Sequence, residues 1–159
     1  MKLVDILEPG RIVHRLSATT KGAVLRELVQ KGVVSQSANT ELAIADEENV
    51  VRVLEERERL GSTGIKDGLA IPHGKLERLD QLVACLGLHE RGVDFGALDG
   101  QPSRIFILLL APESAGGLHL KALARISRLF SDSGFHRRLL DATDADGVWR
   151  EIENEDARY

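Results

Sequence analysis

His73 is the most chemically suggestive residue of the chain, because it stands between Pro72 and Gly74. These neighbours prevent a helix from continuing through the position, so the imidazole should project from a turn at the end of a strand. An imidazole is largely neutral near pH 7, and its nitrogen lone pair can then act as a nucleophile. In isolation, a histidine in such a turn is more often structural than catalytic. Other residues must therefore decide between the two interpretations.

Arg57 lies sixteen positions earlier, on a predicted helix from Asp46 to Arg59. The apolar residues of this region recur at a helical period and form one face, which contains Val50, Val51, Val53, Leu54 and Leu60. Arg57 falls near the middle of that face, where a charged residue is unusual. One interpretation is that its stem packs on the core while its head group reaches solvent. The other is that the guanidinium points inward at an anion.

His119 lies forty-six positions after His73, at the start of a helix predicted to run to about Ser131. The predicted buried side of this helix consists of Leu120, Leu123, Ile126 and Phe130, and its predicted outer side of Lys121, Arg125 and Arg128. His119 shares the buried side. It also lies in the first turn, where free backbone N–H groups and the positive end of the helix dipole favour an anion. Taken alone, a packed helix residue is the more ordinary interpretation.

The segment from Arg57 to Lys75, RERLGSTGIKDGLAIPHGK, resembles the active-site segment of phosphotransferase-system enzyme IIA proteins of the fructose/mannitol and nitrogen-regulatory type. Its most specific blocks are Ser62-Thr63-Gly64-Ile65 and Ala70-Ile71-Pro72-His73-Gly74. A weaker resemblance extends from the early helix to the helix after His119. The resemblance implies that His73 is phosphorylated at Nε2. It also implies that Arg57 and His119 are the active-site arginine and second histidine.

The resemblance further implies partners and a supporting loop. The phosphoryl donor would be the small carrier HPr or its nitrogen-branch relative, NPr, and the receiver a IIB subunit or a regulatory target protein. Ser62 and Thr63 could add hydroxyl donors to the amides and side chains that hold the phosphoryl oxygens. The sequence departs from the family pattern at Lys66 and Asp67, where a glycine and a small polar residue are common. The more charged loop leaves the donor preference open.

Composition describes an ordinary globular chain of 159 residues, 43% hydrophobic and 29% charged, with a formal charge of −4. Mixed charges disfavour a general role in binding nucleic acid. No apolar stretch approaches a membrane span, so we expect a cytoplasmic protein without membrane insertion. The lone Cys85 lies in an apolar run and is predicted to be a small core residue. No metal-ligand spacing, Walker-type loop or Gly-x-Ser-x-Gly motif is present, so we expect no metal and no cofactor.

The remaining pattern and the resemblance predict a single α/β domain with a mixed central sheet of about five strands flanked by helices. Predicted strands lie at Ile12 to Leu16, Leu69 to Ile71, Leu82 to Leu88 and Ile105 to Leu110, the last buried on both faces, with a hairpin-like connection from Gly92 to Gln101. Further helices are predicted from Lys21 to Gln30 with a stop at Gly32, from Phe135 to Leu140 and from Asp146 to Ile152. Asn39-Thr40 is a possible start of the helical region that includes Asp46 to Arg59. We expect residues 1–152 to form the domain and residues 153–159 to form a frayed acidic tail.

Three functions follow from the resemblance. A nitrogen-regulatory phosphocarrier is favoured, because the block from Arg59 to Ile65 looks most like that branch. A fructose- or mannitol-type sugar-transport IIA is the first alternative, and a regulatory module that signals by binding alone is the second. The presence of Arg57, His73 and His119 together argues against a pure binding module. The downstream partner and the oligomeric state, a homodimer included, stay open at this point.

Overall fold

The structure, a computed structural model, describes residues 1–35 and 46–159. Within these ranges the strands are β1 (Ile12–Val13), β2 (Leu69–Ala70), β3 (His73–Leu76), β4 (Val83–Val93) and β5 (Ser103–Pro112). The α-helices are α1 (Lys21–Leu28), α2 (Glu47–Arg59), α3 (Leu118–Leu129), α4 (Ser133–Asp141) and α5 (Ala145–Ala157). Short 3-10 helices lie at Leu3–Asp5, Pro9–Arg11 and Glu113–Ala115, and a π-helix at Val29–Val34. The start of the helical region predicted at Asn39-Thr40 lies outside the described residues.

The sheet has the order β1-β4-β5-β2, and β3 also pairs with β5. β4 and β5 are antiparallel, whereas the other pairs are parallel, so the predicted mixed five-strand sheet is confirmed. β2 and β3 pair with successive stretches of the same strand, with Leu69 opposite Ile105 and His73 opposite Leu109. The connection between β4 and β5 is the predicted hairpin. The sheet therefore ends, on one side, in the two short strands that flank Pro72.

Strand β5 separates two apolar cores, because successive side chains point to opposite faces of a strand. On one face, Phe106, Leu108 and Leu110 pack with α1, the π-helix and α2. On the other face, Ile105, Ile107, Leu109 and Ala111 pack with the N-terminal turn and with α3, α4 and α5. These β5 side chains are at most 2% exposed, which confirms the prediction of a central strand buried on both faces. The molecule is thus a three-layer α/β/α domain.

Helix α1 begins as predicted but does not stop at Gly32. Thr20 caps its N-terminus, and the π-helix Val29–Val34 continues it beyond Leu28. Gly32 serves packing instead, since a Cβ at this position would lie 1.9 Å from Sγ of Cys85. Cys85 is fully buried, as predicted for a small core residue.

The helix faces differ from the prediction at three positions. Leu60 and Leu120 were expected in the core but are 85% and 60% exposed. Leu60 follows the last residue of α2, and Leu120 lies in the first turn of α3, so neither lies over the core. Arg125 was expected on the outside, but its side chain is only 13% exposed and forms an ion pair with the buried Asp156 of α5.

The predicted frayed tail at residues 153–159 is wrong, because α5 continues through Ala157. Glu155 and Asp156 are each 1% exposed. The carboxylate of Glu155 pairs with Arg138 of α4, and Oδ2 of Asp156 accepts the Val4 N–H at 2.9 Å. In the sequence, the acidic run at residues 153–159 resembles a solvated tail, because its basic and backbone partners are distant along the chain. Buried carboxylates need such partners. The contact between Asp156 and Val4 consequently holds the C-terminal helix α5 against the N-terminal segment.

The described residues contain no helix that combines the length and the apolar character required to cross a membrane.

Candidate functional site

A pocket of about 550 Å³ lies where the end of α2, the start of β3 and the first turn of α3 meet. It is lined by Val53, Glu56, Arg57, Leu60, His73, Gly74, Lys75, Leu109, Ala111 and His119. The structure thus brings together His73, Arg57 and His119, which were predicted from three distant parts of the sequence. A depression of about 660 Å³ adjoins the pocket and shares Val53, Glu56 and Lys75 with it.

His73 is held at the edge of the sheet by backbone pairing with β5. The Leu109 N–H donates to the Pro72 carbonyl at 2.9 Å. The Nδ1 atom of His73 lies 2.8 Å from the carbonyl oxygen of Ile71. Because a carbonyl oxygen only accepts, Nδ1 carries the proton in this contact and Nε2 keeps its lone pair. Nε2 is therefore the ring atom whose lone pair is available for a nucleophilic attack.

Burial of the imidazole lowers the pKa of His73 below its ordinary value of 6.5. The hydrogen bond to Ile71 opposes this shift, while the nearby Arg57 cation adds to it. Glu58 raises the pKa of His73 and His119 lowers it, both more weakly. The net effect favours a neutral ring near pH 7. A neutral ring is the form that can attack phosphorus.

Gly74 allows α2 to approach β3 closely at the floor of the pocket. A Cβ at Gly74 would lie 2.7 Å from Cγ1 of Val53, well inside van der Waals contact. Val53 lies one helical turn before Arg57 on α2. The contact between Gly74 and Val53 therefore helps to set the separation of Arg57 from His73.

Arg57 is half-buried in the last turn of α2 and lies at the wall of the pocket. Its Nη1 donates to the carbonyl of Gly61 at 2.9 Å, just beyond the end of the helix. A guanidinium has five N–H donors in a planar fork, so this contact leaves others for an anion. Arg57 thus lies at the wall of the same pocket as His73, which favours the interpretation of a guanidinium directed at an anion.

His119 is the second residue of α3 and faces the same pocket. Its Nδ1 lies 2.9 Å from the Gly116 carbonyl oxygen, so Nδ1 carries a proton and Nε2 is left for the pocket. Gly117 occupies the N-cap of α3 and provides no side-chain cap. The first-turn amides are therefore not occupied by a capping side chain, and they add positive potential beside His119.

Ser62 and Thr63 were expected to offer hydroxyls to the phosphoryl oxygens, but neither lines the pocket. The Ser62 hydroxyl donates to the Phe95 carbonyl at 2.6 Å and accepts the Gly64 N–H at 2.9 Å. The Thr63 hydroxyl donates to the carboxylate of Glu58. Both hydroxyls are thus engaged in holding the turn that follows α2.

Glu58 was not predicted as a functional residue from the sequence. It lies beside the site and is buried, at 8% exposed. Its carboxylate accepts from Lys21 Nζ at 2.8 Å and from the Thr63 N–H at 3.0 Å, in addition to the Thr63 hydroxyl. The sequence did contain a signal. Glu58 follows Val51 by seven positions and Leu54 by four, which places it on the buried stripe of α2. A carboxylate on such a stripe requires partners.

Lys66 and Asp67, where the sequence departs from the family pattern, lie in the turn that precedes β2. The start of β2 is in register with Ile105, four positions before Leu109, the register partner of His73. Four residues of a strand span about 13 Å. The charged turn therefore lies at the far end of this sheet edge from His73.

The other histidines do not contribute to the pocket. His89 and His136 are buried, at 7% and 8% exposed. Their Nε2 atoms contact the carbonyl oxygens of Ala18 and Phe130, so both are hydrogen-bonded interior residues. His14 contacts a carbonyl in the same way and is half-buried. Across residues 1–35 and 46–159, no group of three or more His, Cys, Asp and Glu side chains is arranged to hold a metal ion.

Known proteins share this arrangement of sequence and fold. The family model described as "Phosphoenolpyruvate-dependent sugar phosphotransferase system, EIIA 2" matches residues 5–155. A nitrogen regulatory protein of Bradyrhizobium diazoefficiens is 40% identical over 149 residues, which cover 94% of this chain and 93% of that protein. The fructose-specific EIIABC component of the phosphotransferase system of Bacillus subtilis is 30% identical over 148 residues, which cover 93% of this chain and 22% of that longer protein. The crystal structure of the nitrogen regulatory protein IIA-Ntr from Neisseria meningitidis matches with a TM-score of 0.82 at 30% identity, covering 93% of this chain and 97% of that one.

Proposed function

The chain belongs to the EIIA 2 family of the phosphoenolpyruvate-dependent sugar phosphotransferase system, and we propose that it carries a phosphoryl group on Nε2 of His73. The observation that supports this most directly is the convergence of three groups on one pocket. They are an imidazole with a free Nε2, a guanidinium and a second imidazole, from His73, Arg57 and His119. Phosphoryl transfer requires little more than such positioning and charge.

In the proposed reaction, the Nε2 lone pair of His73 attacks the phosphorus of a phosphohistidine on the donor protein. The N–P bond to the donor breaks, and its electron pair returns to the donor's ring nitrogen. The His73 ring gains positive charge as the new N–P bond forms, and the Nδ1–H donated to Ile71 stabilises that charge. In this proposal the guanidinium of Arg57 donates to the oxygens of the transferred group, which the imidazole of His119 also faces.

We favour the nitrogen-regulatory branch, with an HPr- or NPr-like carrier as the donor and a regulatory protein as the target. The 40% identity to a nitrogen regulatory protein extends over almost the whole of both chains. In this proposal the protein works in the cytoplasm with its carrier. The phosphoryl group changes the charge of the face that surrounds His73, and a target can respond to that change.

A sugar-transport role is the second candidate, because a fructose-specific component is 30% identical over 93% of this chain. In that role His73 would pass its phosphoryl group to a IIB protein. A module that signals by binding alone is disfavoured. It would have no need to keep the Nε2 of His73 free beside a guanidinium.

The test is phosphoryl transfer from a phosphorylated HPr-like carrier, followed by detection of acid-labile phosphate on the chain. His73→Ala should abolish the label while circular dichroism and thermal unfolding remain those of a folded protein. His14→Ala is the matched control, since His14 lies outside the pocket and should leave labelling intact. Full labelling of His73→Ala would refute the assignment. Adding a fructose-specific IIB then separates the two roles, because only a sugar-transport IIA should lose its label to that protein.

A further inference from the structure

A continuous series of hydrogen bonds connects the buried carboxylate of Glu58 with the imidazole of His73. Glu58 accepts both the N–H and the hydroxyl of Thr63. The Thr63 carbonyl accepts the Ile71 N–H at 3.1 Å. The Ile71 carbonyl then accepts the Nδ1–H of His73 at 2.8 Å. The hydrogen bonds are joined through the backbones of Thr63 and Ile71, so the position of the Glu58 carboxylate constrains the conformation of both residues.

The Thr63 end of this series is fixed against the sheet. Segment 63–65 lies antiparallel to β2, with a bridge between Gly64 and Ala70 and an Ile65 N–H to Leu69 carbonyl bond of 2.9 Å. Thr63 is itself 6% exposed. A shift of the Thr63 peptide would therefore move the Ile71 peptide as well.

The Glu58 end is fixed by Lys21, at the start of α1. Lys21 Nζ lies 2.8 Å from the Glu58 carboxylate and donates to the Phe95 carbonyl at 3.2 Å. The same carbonyl accepts the Ser62 hydroxyl at 2.6 Å. Lys21, Glu58 and the turn at Ser62 and Thr63 thus form one connected polar group behind the pocket wall. None of Lys21, Glu58, Ser62 and Thr63 lines the pocket, so the group affects the orientation of His73 through these contacts, and Glu58 affects the pKa of His73 through its charge.

We propose that Glu58 is a positioning residue for His73, which acts through Thr63 and Ile71 to hold the Nδ1–H form of the ring and so to present Nε2 to the donor. A neutral imidazole free of such a contact exchanges its proton between the two nitrogens. The Ile71 carbonyl prevents this exchange only while its oxygen is directed at Nδ1. In this proposal, Glu58 maintains the orientation of that carbonyl. The kinetic part of this inference rests on the proposed function, whereas the tautomeric part does not.

The first test is nuclear magnetic resonance of the unphosphorylated protein, with 15N-labelled histidine, above the pH at which His73 is protonated. The wild-type chain should show a protonated Nδ1 and an unprotonated Nε2 at His73. Glu58→Gln keeps the size of the side chain but removes the charge, and should produce a mixture of the two forms. Thr63→Val should do the same by removing the hydroxyl, whereas Thr63→Ser, which keeps the hydroxyl, should retain the wild-type signal. Glu55→Gln, on the same helix, is the matched control and should have no effect.

The second test is the kinetics of phosphorylation by the HPr-like donor. Because the donor surface is unchanged, KM should stay constant while kcat falls in Glu58→Gln and Thr63→Val. A loss of roughly 10- to 100-fold is expected, by analogy with removal of the partners that orient metal-ligating histidines. Thr63→Ser should restore the rate.

The proposal is overturned if folded Glu58→Gln and Thr63→Val both keep the Nδ1–H signal of His73. If Glu58→Gln does not fold, the comparison of Thr63→Val with Thr63→Ser decides alone. A chain that shows the expected tautomers but accepts no phosphoryl group from any carrier would contradict the proposed function and leave the positioning role supported.

Discussion

Gly74→Ala should slow phosphorylation through a displacement of α2 rather than through any change in the reacting groups. Gly74 does not have a positive φ, so its backbone can accept alanine. The new Cβ would lie 2.7 Å from Cγ1 of Val53, whereas nonbonded carbon atoms in van der Waals contact lie about 3.7 Å apart. Helix and strand must therefore separate by about 1 Å, as the difference of these two distances. Val53 cannot simply rotate away, since a β-branched side chain in a helix has one strongly preferred rotamer.

Arg57 lies one turn along α2 from Val53, so it moves away from His73 together with the helix. A misplacement of about 1 Å can cost about 100-fold in rate. Overpacking of this kind should also lower the free energy of unfolding by about 1–3 kcal/mol. Single-turnover phosphoryl transfer measures the first effect and urea denaturation the second.

The control is the double variant Val53→Ala/Gly74→Ala, in which the clashing methyl group is absent. The remaining neighbours of the added Cβ, Leu54 Cδ2 and the Cβ of residue 53, lie at ordinary contact distances of 3.8 and 3.9 Å. The double variant should therefore approach the rate of Val53→Ala alone, giving a favourable coupling between the two substitutions. A Gly74→Ala protein with the wild-type rate and the wild-type stability would refute the reasoning, as would a double variant no faster than Gly74→Ala.

Two further predictions concern the charged groups of the pocket. Arg57→Lys should raise the barrier to phosphoryl transfer by about 2–4 kcal/mol, because an ammonium cannot reproduce the planar fork of a guanidinium. Arg59→Lys, on the outer side of α2, should have no effect. Equal single-turnover rates for the two variants would contradict this prediction. The pKa of His73 in the folded state lies below 6.5, so as the pH falls the imidazole is protonated in the unfolded state before it is protonated in the folded state. The free energy of unfolding should therefore decrease from about pH 6.5 down to the pKa of folded His73. Titration of His73 by nuclear magnetic resonance should have its midpoint below 6.5, and His73→Gln should remove this part of the pH dependence; a midpoint at or above 6.5 would show that burial does not dominate.

Much of the architecture was predictable because its main elements carry long, regular patterns. The apolar run of β5 and the helical period of α2 each specify an element and the face that it buries. The errors occur where partners are distant in sequence. Arg125 and Asp156 lie thirty-one positions apart, and each appears solvated until α3 and α5 are placed together. Gly32 resembled a helix stop because the close approach of Cys85 is a tertiary contact.

The three groups of the pocket were predictable from sequence, but their geometry was not. The resemblance identified His73, Arg57 and His119 from local motifs and spacing. It also implied attachment at Nε2, but the contact that leaves this nitrogen available, between Nδ1 and the Ile71 carbonyl, is visible only in the structure. The sequence also suggested that Ser62 and Thr63 could add hydroxyl donors for the phosphoryl group, whereas both hydroxyls are bonded within the turn. Short polar side chains bond readily to nearby backbone and side-chain groups, and only the structure shows which partner each has found.

The position of the pocket explains how residues so far apart in sequence act together. Arg57 belongs to the helical layer on one face of the sheet, and His119 to the layer on the other. His73 lies on the short edge strand β3, in the pocket that residues of both layers line. Each donor is consequently fixed by a different core. A substitution in the core beneath α2 should disturb Arg57 and leave His119 in place, and one beneath α3 should do the reverse. A change in β3, or in β5, which pairs with it, acts on the strand that holds His73 between these two layers.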